Sequence, residues 1–359
     1  MKLYNDTYFD LKGIVKLKTV IIGATGYGGV ELIRLLQNHP HFEIGGLISS
    51  TKAGESIQDL YPHLAHCSYS LRELTLDTIC ELGECVFFAT PAGISSQWAP
   101  LLVERGKVVI DLSGDFRLAT EQIYQAWYGK DAAPQRWLDQ AVYGLSEWFT
   151  AQIQSANLIA NPGCYPTAAL LALAPVLQAG WIRTESLIID AKSGVTGAGR
   201  TAQQAMSFSE VNDNLRPYKV DGHQHIPEIE RYATELAKHE VKVNFIPHLV
   251  PMNRGILVTI YADLEDQYTN QDLYELYRET YESKPFVRIV GQRWPQTKQV
   301  QGSNFCDIGF HVDQRTGRLI LLSVIDNLVK GAAGQAIQNA NIRMGFAEEA
   351  GLTDSPLFP

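Results

Sequence analysis

The first third of the chain alternates short apolar runs with stretches whose apolar residues recur every three or four positions. Residues 19–22 form one compact run, and residues 30–37 carry helical spacing. His39-Pro40 then stops the helix, and a second apolar run covers 42–49. Strand, glycine turn, helix and strand in that order predict the opening of a parallel, doubly wound sheet. Further strands are predicted at 86–89 and 108–111. They run into the small-residue loops Thr90-Pro91-Ala92-Gly93 and Ser113-Gly114-Asp115, at the strand ends where open α/β sheets collect ligands. Beyond about residue 160 the predicted strands are richer in β-branched residues, at 187–191, 241–245, 255–261 and 286–290. Cys306, Ile308, Phe310 and Val312 alternate with polar or small neighbours. A turn at 314–317 and a return over 319–325 complete an antiparallel hairpin with one buried face, and a small-residue helix over 330–341 follows. The second half therefore reads as α+β.

Composition narrows the class. A chain of 359 residues has length for two domains, and 45% hydrophobic with 19% charged residues is ordinary for a globular protein. The net charge of −9, without a basic block, argues against nucleic-acid and anionic-membrane partners. Five cysteines without a CxxC pair make neither a disulfide scaffold nor a structural zinc site, and they fit a reducing, cytoplasmic setting. No apolar run reaches membrane-span length. The opening "MKLYNDTYFDLKGIVKLK" mixes charged and apolar residues too closely for a secretory signal and reads as an extension ahead of the first strand.

Gly23, Gly26 and Gly29 are spaced three apart between a strand and a helix. Glycines there allow a sharp turn and close approach to a pyrophosphate, which the helix N-terminus then faces. A plainer role would be tight helix–sheet packing. The strand-turn-helix context favours dinucleotide binding through Gly23, Thr25, Gly26, Tyr27, Gly28 and Gly29. After the second strand come Ser49, Ser50, Thr51 and Lys52, with no carboxylate among them to bind ribose hydroxyls. Hydroxyls and a lysine suit a 2′-phosphate, so NADP(H) is favoured over NAD, with Ser49, Ser50 and Lys52 as its contacts.

The stretch "NPGCYPT" at 161–167 places Cys164 between a predicted strand and a predicted helix, with Pro166 suited to the first helical turn. A thiol at a helix start is favoured as the thiolate, and the same N–H groups can hold an oxyanion. Cys85 and Cys306 lie in strand patterns and read as structural. His63, His66 and Cys67 lack a fourth ligand, so no metal site is read there. A thiolate nucleophile needs a proton shuttle. His223 and His225, beside Glu228 and before a helix containing Pro227, are the candidates, on what reads as an accessible loop. Either can be the base; His225 is favoured. Arg117, Arg200 and Arg254 close polar glycine loops and are candidate forks for a carboxylate or phosphate.

A nicotinamide cofactor and a cysteine nucleophile together describe thioester chemistry with hydride transfer. The segments "GATGYGGVEL", "DLSGDFRL", "NPGCYPT", "SGVTGAGR", "RPYKVDGHQHIPEI", "PHLVPMNRGIL", "GSNFCDIG" and "DNLVKGAAGQAIQN" run in order along nearly all the chain after residue 17. In them the chain resembles the N-acetyl-γ-glutamyl-phosphate reductase family of the semialdehyde dehydrogenase superfamily. The resemblance implies an α/β fold, an N-terminal Rossmann-like doubly wound sheet with an inserted α+β catalytic domain. Residues 17–160 plus 327–359 would bind NADP, and 161–326 would form the catalytic and oligomerisation domain. It implies Cys164 as nucleophile and reduction of an acyl phosphate by NADPH to a semialdehyde in arginine biosynthesis. It adds cofactor contacts at Ser193, Gly194 and Asn327 and substrate contacts at Arg117, Asn161, Arg200, Glu228 and Arg254. A homotetramer without metal, nucleic acid or membrane partners is also expected. Gly28 departs from the family's usual threonine. Aspartate-semialdehyde dehydrogenase, a relative from lysine biosynthesis and a non-enzymatic NADP sensor are the rival readings. Ile256, where the aspartate enzymes carry histidine after Arg254-Gly255, argues against the first.

Overall fold

The computed structural model describes residues 16–291 and 293–358. Most of the extension read ahead of the first strand, through residue 15, lies outside the described residues. The chain divides into two compact units. One joins residues 16–117 with Lys130–Asn161 and Ala333–Thr353. The other joins Leu118–Gly129, Pro162–Ala332 and the chain from Asp354 onward.

Among the described residues the first unit holds seven strands: β1 (Leu17–Ile22), β2 (Phe42–Ile48), β3 (Leu71–Arg72), β4 (Cys85–Phe88), β5 (Val108–Asp111), β6 (Val142–Tyr143) and β7 (Leu158–Ala160). Every pairing is parallel, in the order β3-β2-β1-β4-β5-β7-β6. The order reverses direction at β1, so the loops after β1 and β4 flank a crevice at the carboxyl edge. β4 is buried at every position, as a strand covered on both faces must be. The helix predicted from residue 30 begins three residues earlier, at Tyr27, because the glycine turn runs straight into it. At its far end His39 Nδ1 accepts the N–H groups of His41 and Phe42 at 3.1 and 3.0 Å. Its Nε2 donates to the Ala350 carbonyl at 2.8 Å. That pattern holds a neutral ring, and burial lowers its pKa to about 4.

The second unit holds β8 (Ile188–Ser193), β9 (Arg216–Pro217), β10 (Asn244–Leu249), β11 (Ile256–Asp263), β12 (Val287–Gly291), β13 (Cys306–Asp313) and β14 (Arg318–Ile325). They form one mixed sheet ordered β12-β13-β14-β11-β8-β10-β9. The hairpin of β13 and β14 falls where the alternation placed it. The strand expected at 241–245 instead occupies Asn244–Leu249. The N–H groups of Val241 and Val243 bond Thr234 Oγ1 and Glu230 Oε1, which binds residues 241–243 to the preceding helix.

At the centre of this unit lies the helix Cys164–Gln178, buried from Tyr165 through Leu177. A helix apolar on every face must be enclosed on every face. Pro175 interrupts its hydrogen bonding by removing the donor that would reach the Leu171 carbonyl. Tyr281 Oη donates to that carbonyl at 2.6 Å, and Tyr277 Oη donates to Ala172 next to it. Both tyrosines come from the helix Asn270–Tyr281, which starts with a capping box between Thr269 and Asp272.

Candidate active site

Cys164 is the first residue of that central helix, with Gly163 as its N-cap. Pro166 is the third residue, where its missing N–H leaves nothing unpaired. Thr167 closes the turn through its N–H and Oγ1, both bonded to the Gly163 carbonyl at 2.9 Å. Burial of the rest of the helix fixes its axis, and Cys164, half-buried, is its tip. The first N–H groups of any helix lack a carbonyl one turn back, so a sulfur here sits at the positive end of the dipole.

The histidines lie against this tip. They are buried, with His223 3% and His225 8% exposed, which corrects the accessible loop expected from sequence. The reason is aromatic packing. The His223 ring lies 5.8 Å from that of Tyr165, 5.6 Å from that of Tyr218 and 5.4 Å from that of Phe245. His223 Nδ1 accepts the His225 N–H at 3.1 Å. Burial, then the nearby Lys219 charge, lowers its pKa to about 4, so it is a neutral ring protonated on Nε2. His225 stands over the turn itself: a Cβ on Gly163 would lie 2.5 Å from its Nε2. Glu228 is fully buried, and its Oε1 accepts the Gly163 N–H at 2.8 Å. The Glu228 carboxylate therefore holds the backbone of the turn.

Tyr165 and Tyr218, not among the candidates that the sequence offers, pack against the His223 ring. Tyr218 Oη donates to Tyr165 Oη at 3.3 Å, and Tyr165 Oη reaches the His248 carbonyl at 3.4 Å. Burial pushes both phenols up, Tyr218 to about 12, so each stays a donor at neutral pH. The position of Tyr165, directly after the cysteine, was the available signal.

The remaining candidates divide by location. In the second unit, Ser193 is buried, and its Oγ bonds the Gly194 carbonyl at 2.9 Å. Asn327 uses both ends of its amide: Oδ1 accepts the Gly255 N–H at 2.8 Å and Nδ2 donates to Thr196 Oγ1 at 3.0 Å. Arg254 pairs with buried Asp326 at 3.3 Å, and Arg200 is exposed on the loop after β8. In the first unit, Arg117 is buried and donates to the Asn161 and Leu112 carbonyls at 2.7 and 2.8 Å. Asn161 is buried too, its Oδ1 accepting from Asn339. These bonds join the ends of β5 and β7.

The glycine turn of the first unit fits a dinucleotide. Gly23 has φ +84°, and a Cβ there would lie 2.4 Å from the Ala89 carbonyl; one on Gly29 would lie 2.4 Å from the Gly23 carbonyl. Gly26 and Gly28 meet nothing closer than 3.6 Å. Among the described residues nothing caps the helix Tyr27–Leu36 through a side chain, and its first turn carries no acidic residue, which leaves its start suited to an anion. Tyr61 Oη bonds the Thr25 carbonyl at 2.9 Å. Ser49 is buried, Ser50 is exposed, and Lys52 pairs with Glu55 at 3.0 Å. That surface pair is weak and leaves the lysine able to meet a phosphate.

Two family models match the chain: "Semialdehyde dehydrogenase, NAD binding domain" over residues 18–156 and "Semialdehyde dehydrogenase, dimerisation domain" over residues 164–327. N-acetyl-gamma-glutamyl-phosphate reductase of Brevibacillus brevis is 52% identical over 342 residues, 94% of this chain and 99% of the relative. The chain belongs to the N-acetyl-γ-glutamyl-phosphate reductase family. The reductase of Geobacillus kaustophilus is 50% identical over 346 residues, 96% of this chain and all of the relative. Solved aspartate semialdehyde dehydrogenases share the fold. That of Vibrio cholerae, complexed with ASA, has a TM-score of 0.69 at 18% identity and covers 92% of this chain and 98% of its own. That of Candida albicans, with NADP, has a TM-score of 0.66 at 19% identity and covers 91% and 98%.

Proposed function

We propose that the protein reduces N-acetyl-L-glutamyl 5-phosphate to N-acetyl-L-glutamate 5-semialdehyde and phosphate, a step of arginine biosynthesis, through a thioester on Cys164. The observation that carries the reading is a cysteine at the tip of a buried helix, with the His225 imidazole packed on the residue before it. Bound NADPH supplies the hydride; the glycine turn 23–29 would hold its pyrophosphate, and Ser49, Ser50 and Lys52 its 2′-phosphate. Cys164 Sγ attacks the acyl carbon, the carbon–oxygen bond to phosphate breaks, and a thioester remains on the enzyme. Once that carbon has gained hydride, the carbon–sulfur bond breaks and the aldehyde leaves, returning the thiolate. His225 takes the Sγ proton before attack, gives it to the oxygen of the carbon that gains hydride, and takes it back as the carbon–sulfur bond breaks. His223, neutral with Nδ1 already accepting, orients His225 through the backbone. The arginines 200 and 254 remain the cationic candidates for the substrate's carboxylate and phosphate.

The test is the reverse reaction, with phosphate, NADP and either N-acetylglutamate semialdehyde or aspartate semialdehyde. Preference for the acetylated aldehyde, abolished in Cys164→Ala with NADPH affinity retained, is the expected result. Preference for aspartate semialdehyde, or activity surviving in Cys164→Ala, would overturn the reading. We also infer self-association to a homotetramer. Ile188, Leu257, Tyr261 and Ile320 are half-buried on the β8, β11 and β14 strands, a partly apolar sheet face that supports pairing with another copy. Light scattering of the purified protein tests it, and a monomer at micromolar concentration would refute it.

A further inference from the structure

Ahead of the final α-helix (Gly334–Met344), the chain makes a π turn at Val329–Ala333. One extra residue per turn is costly and recurs at functional sites. Here it brings Gly331 against the nucleophile: a Cβ on Gly331 would lie 2.8 Å from Cys164 Cβ and 3.2 Å from Cys164 Cα. Glycine is needed there for close approach, and backbone thereby forms the wall on one side of the Cys164 side chain. Asp326, fully buried, bonds this segment at several points. Its carbonyl accepts the Gly331 N–H at 3.0 Å, a bond that reaches five residues forward into the π turn. Oδ1 accepts the N–H groups of Leu328 and Val329 at 2.8 and 3.2 Å. Oδ2 accepts the Gly302 N–H at 2.7 Å and Arg254 Nη1 at 3.3 Å.

We propose that Asp326 is a positioning residue for the reductase reaction: through the π turn it presses Gly331 against Cys164 and limits the rotamers of the sulfur, and through Arg254 it ties the same wall to a cation of the substrate loop. A side chain has three staggered choices at χ1, and a wall on one side of Cβ removes part of that freedom. The inference rests on Cys164 being the nucleophile, and deepens that reading.

The experiment measures, in the full-length protein, the rate of iodoacetamide alkylation at Cys164 as a function of pH, located by peptide mass, together with kcat and KM for NADPH. Asp326→Asn keeps the shape but replaces one accepting oxygen with a donor. Gly331→Ala leaves the carboxylate in place and adds a methyl against Cys164. Both variants should alter the alkylation pH profile and lower kcat by on the order of tenfold or more, with KM for NADPH held. If Asp326→Asn fails to fold, Gly331→Ala decides alone. A folded Gly331→Ala protein with wild-type alkylation profile and kcat overturns the proposal. Alkylation needs no substrate, so a wild-type protein inactive on the acyl phosphate would reject the reaction assigned above while leaving this result interpretable.

Discussion

Replacing Gly163 with alanine tests the site at its tightest point. Gly163 has φ −66° and ψ 157°, an extended conformation open to any residue, so alanine meets no backbone penalty. The added methyl would lie 2.5 Å from Nε2, 2.9 Å from Cδ2 and 3.0 Å from Cε1 of His225. Ordinary contact begins at 3.4 Å, so the ring must withdraw by about 0.9 Å. It has little slack: His225 is 8% exposed, begins a helix, and packs with its centroid 4.8 Å from that of His223. Overpacking of this kind costs about 1–3 kcal/mol of stability. Displacing a reacting group by about 1 Å costs on the order of 10²-fold in rate. Initial rates of NADPH oxidation should show kcat reduced ~10²-fold, with KM for NADPH near wild type because the glycine turn is untouched. Thermal unfolding of the same sample separates misplacement from unfolding. A folded Gly163→Ala enzyme with wild-type kcat would show that contact between His225 and the turn is dispensable, and the assignment of the base would fall with it.

Three further outcomes follow from the same geometry. His225→Asn should reduce kcat more than His223→Asn in steady-state assays, since His223 is neutral and its Nδ1 is already occupied; the reverse ranking would move the base to His223. Glu228→Ala strands the Gly163 N–H and should cost about 1–3 kcal/mol in urea unfolding, with Glu228→Gln recovering most of it through its remaining acceptor; equal losses would refute the hydrogen-bond argument. His39 and His223 both have folded pKa values near 4, below the 6.5 of a free imidazole, so the unfolded chain takes up their protons first. Their stabilisation is complete above about pH 6.5 and is lost as pH falls toward 4, by at most ~3 kcal/mol each; Asp111, raised by burial and then by Asp115, works in the opposite sense. Unfolding free energies measured between pH 7 and pH 4.5 should fall, and less steeply in His39→Gln; an unchanged slope in that variant would exclude His39 as a contributor.

Local signals in the chain were read well because their physics is local. The turn from β1 into its helix needs glycines spaced along a few residues, and Gly23 and Gly29 occupy the positions where a Cβ would strike backbone. The helix led by Cys164 was legible from Gly163, Pro166 and the apolar run behind them. The partners of Arg117 were not: they include carbonyls at Leu112 and, 44 residues away, at Asn161, and only folding brings them to the guanidinium. The same holds for Glu228, whose carboxylate reaches 65 residues back to the Gly163 N–H.

By itself, then, the order of apolar runs, glycines and prolines determined which elements form and that a thiol would stand at a helix start, because backbone conformation and helix termini depend on neighbours a few positions away. The tertiary structure alone decided which polar groups remain for chemistry. Burial neutralised His223, packing laid His225 on Gly163, and the π turn brought Gly331 against Cys164. Those outcomes depend on solvent exclusion and on contacts between segments far apart in the chain, which no local pattern encodes.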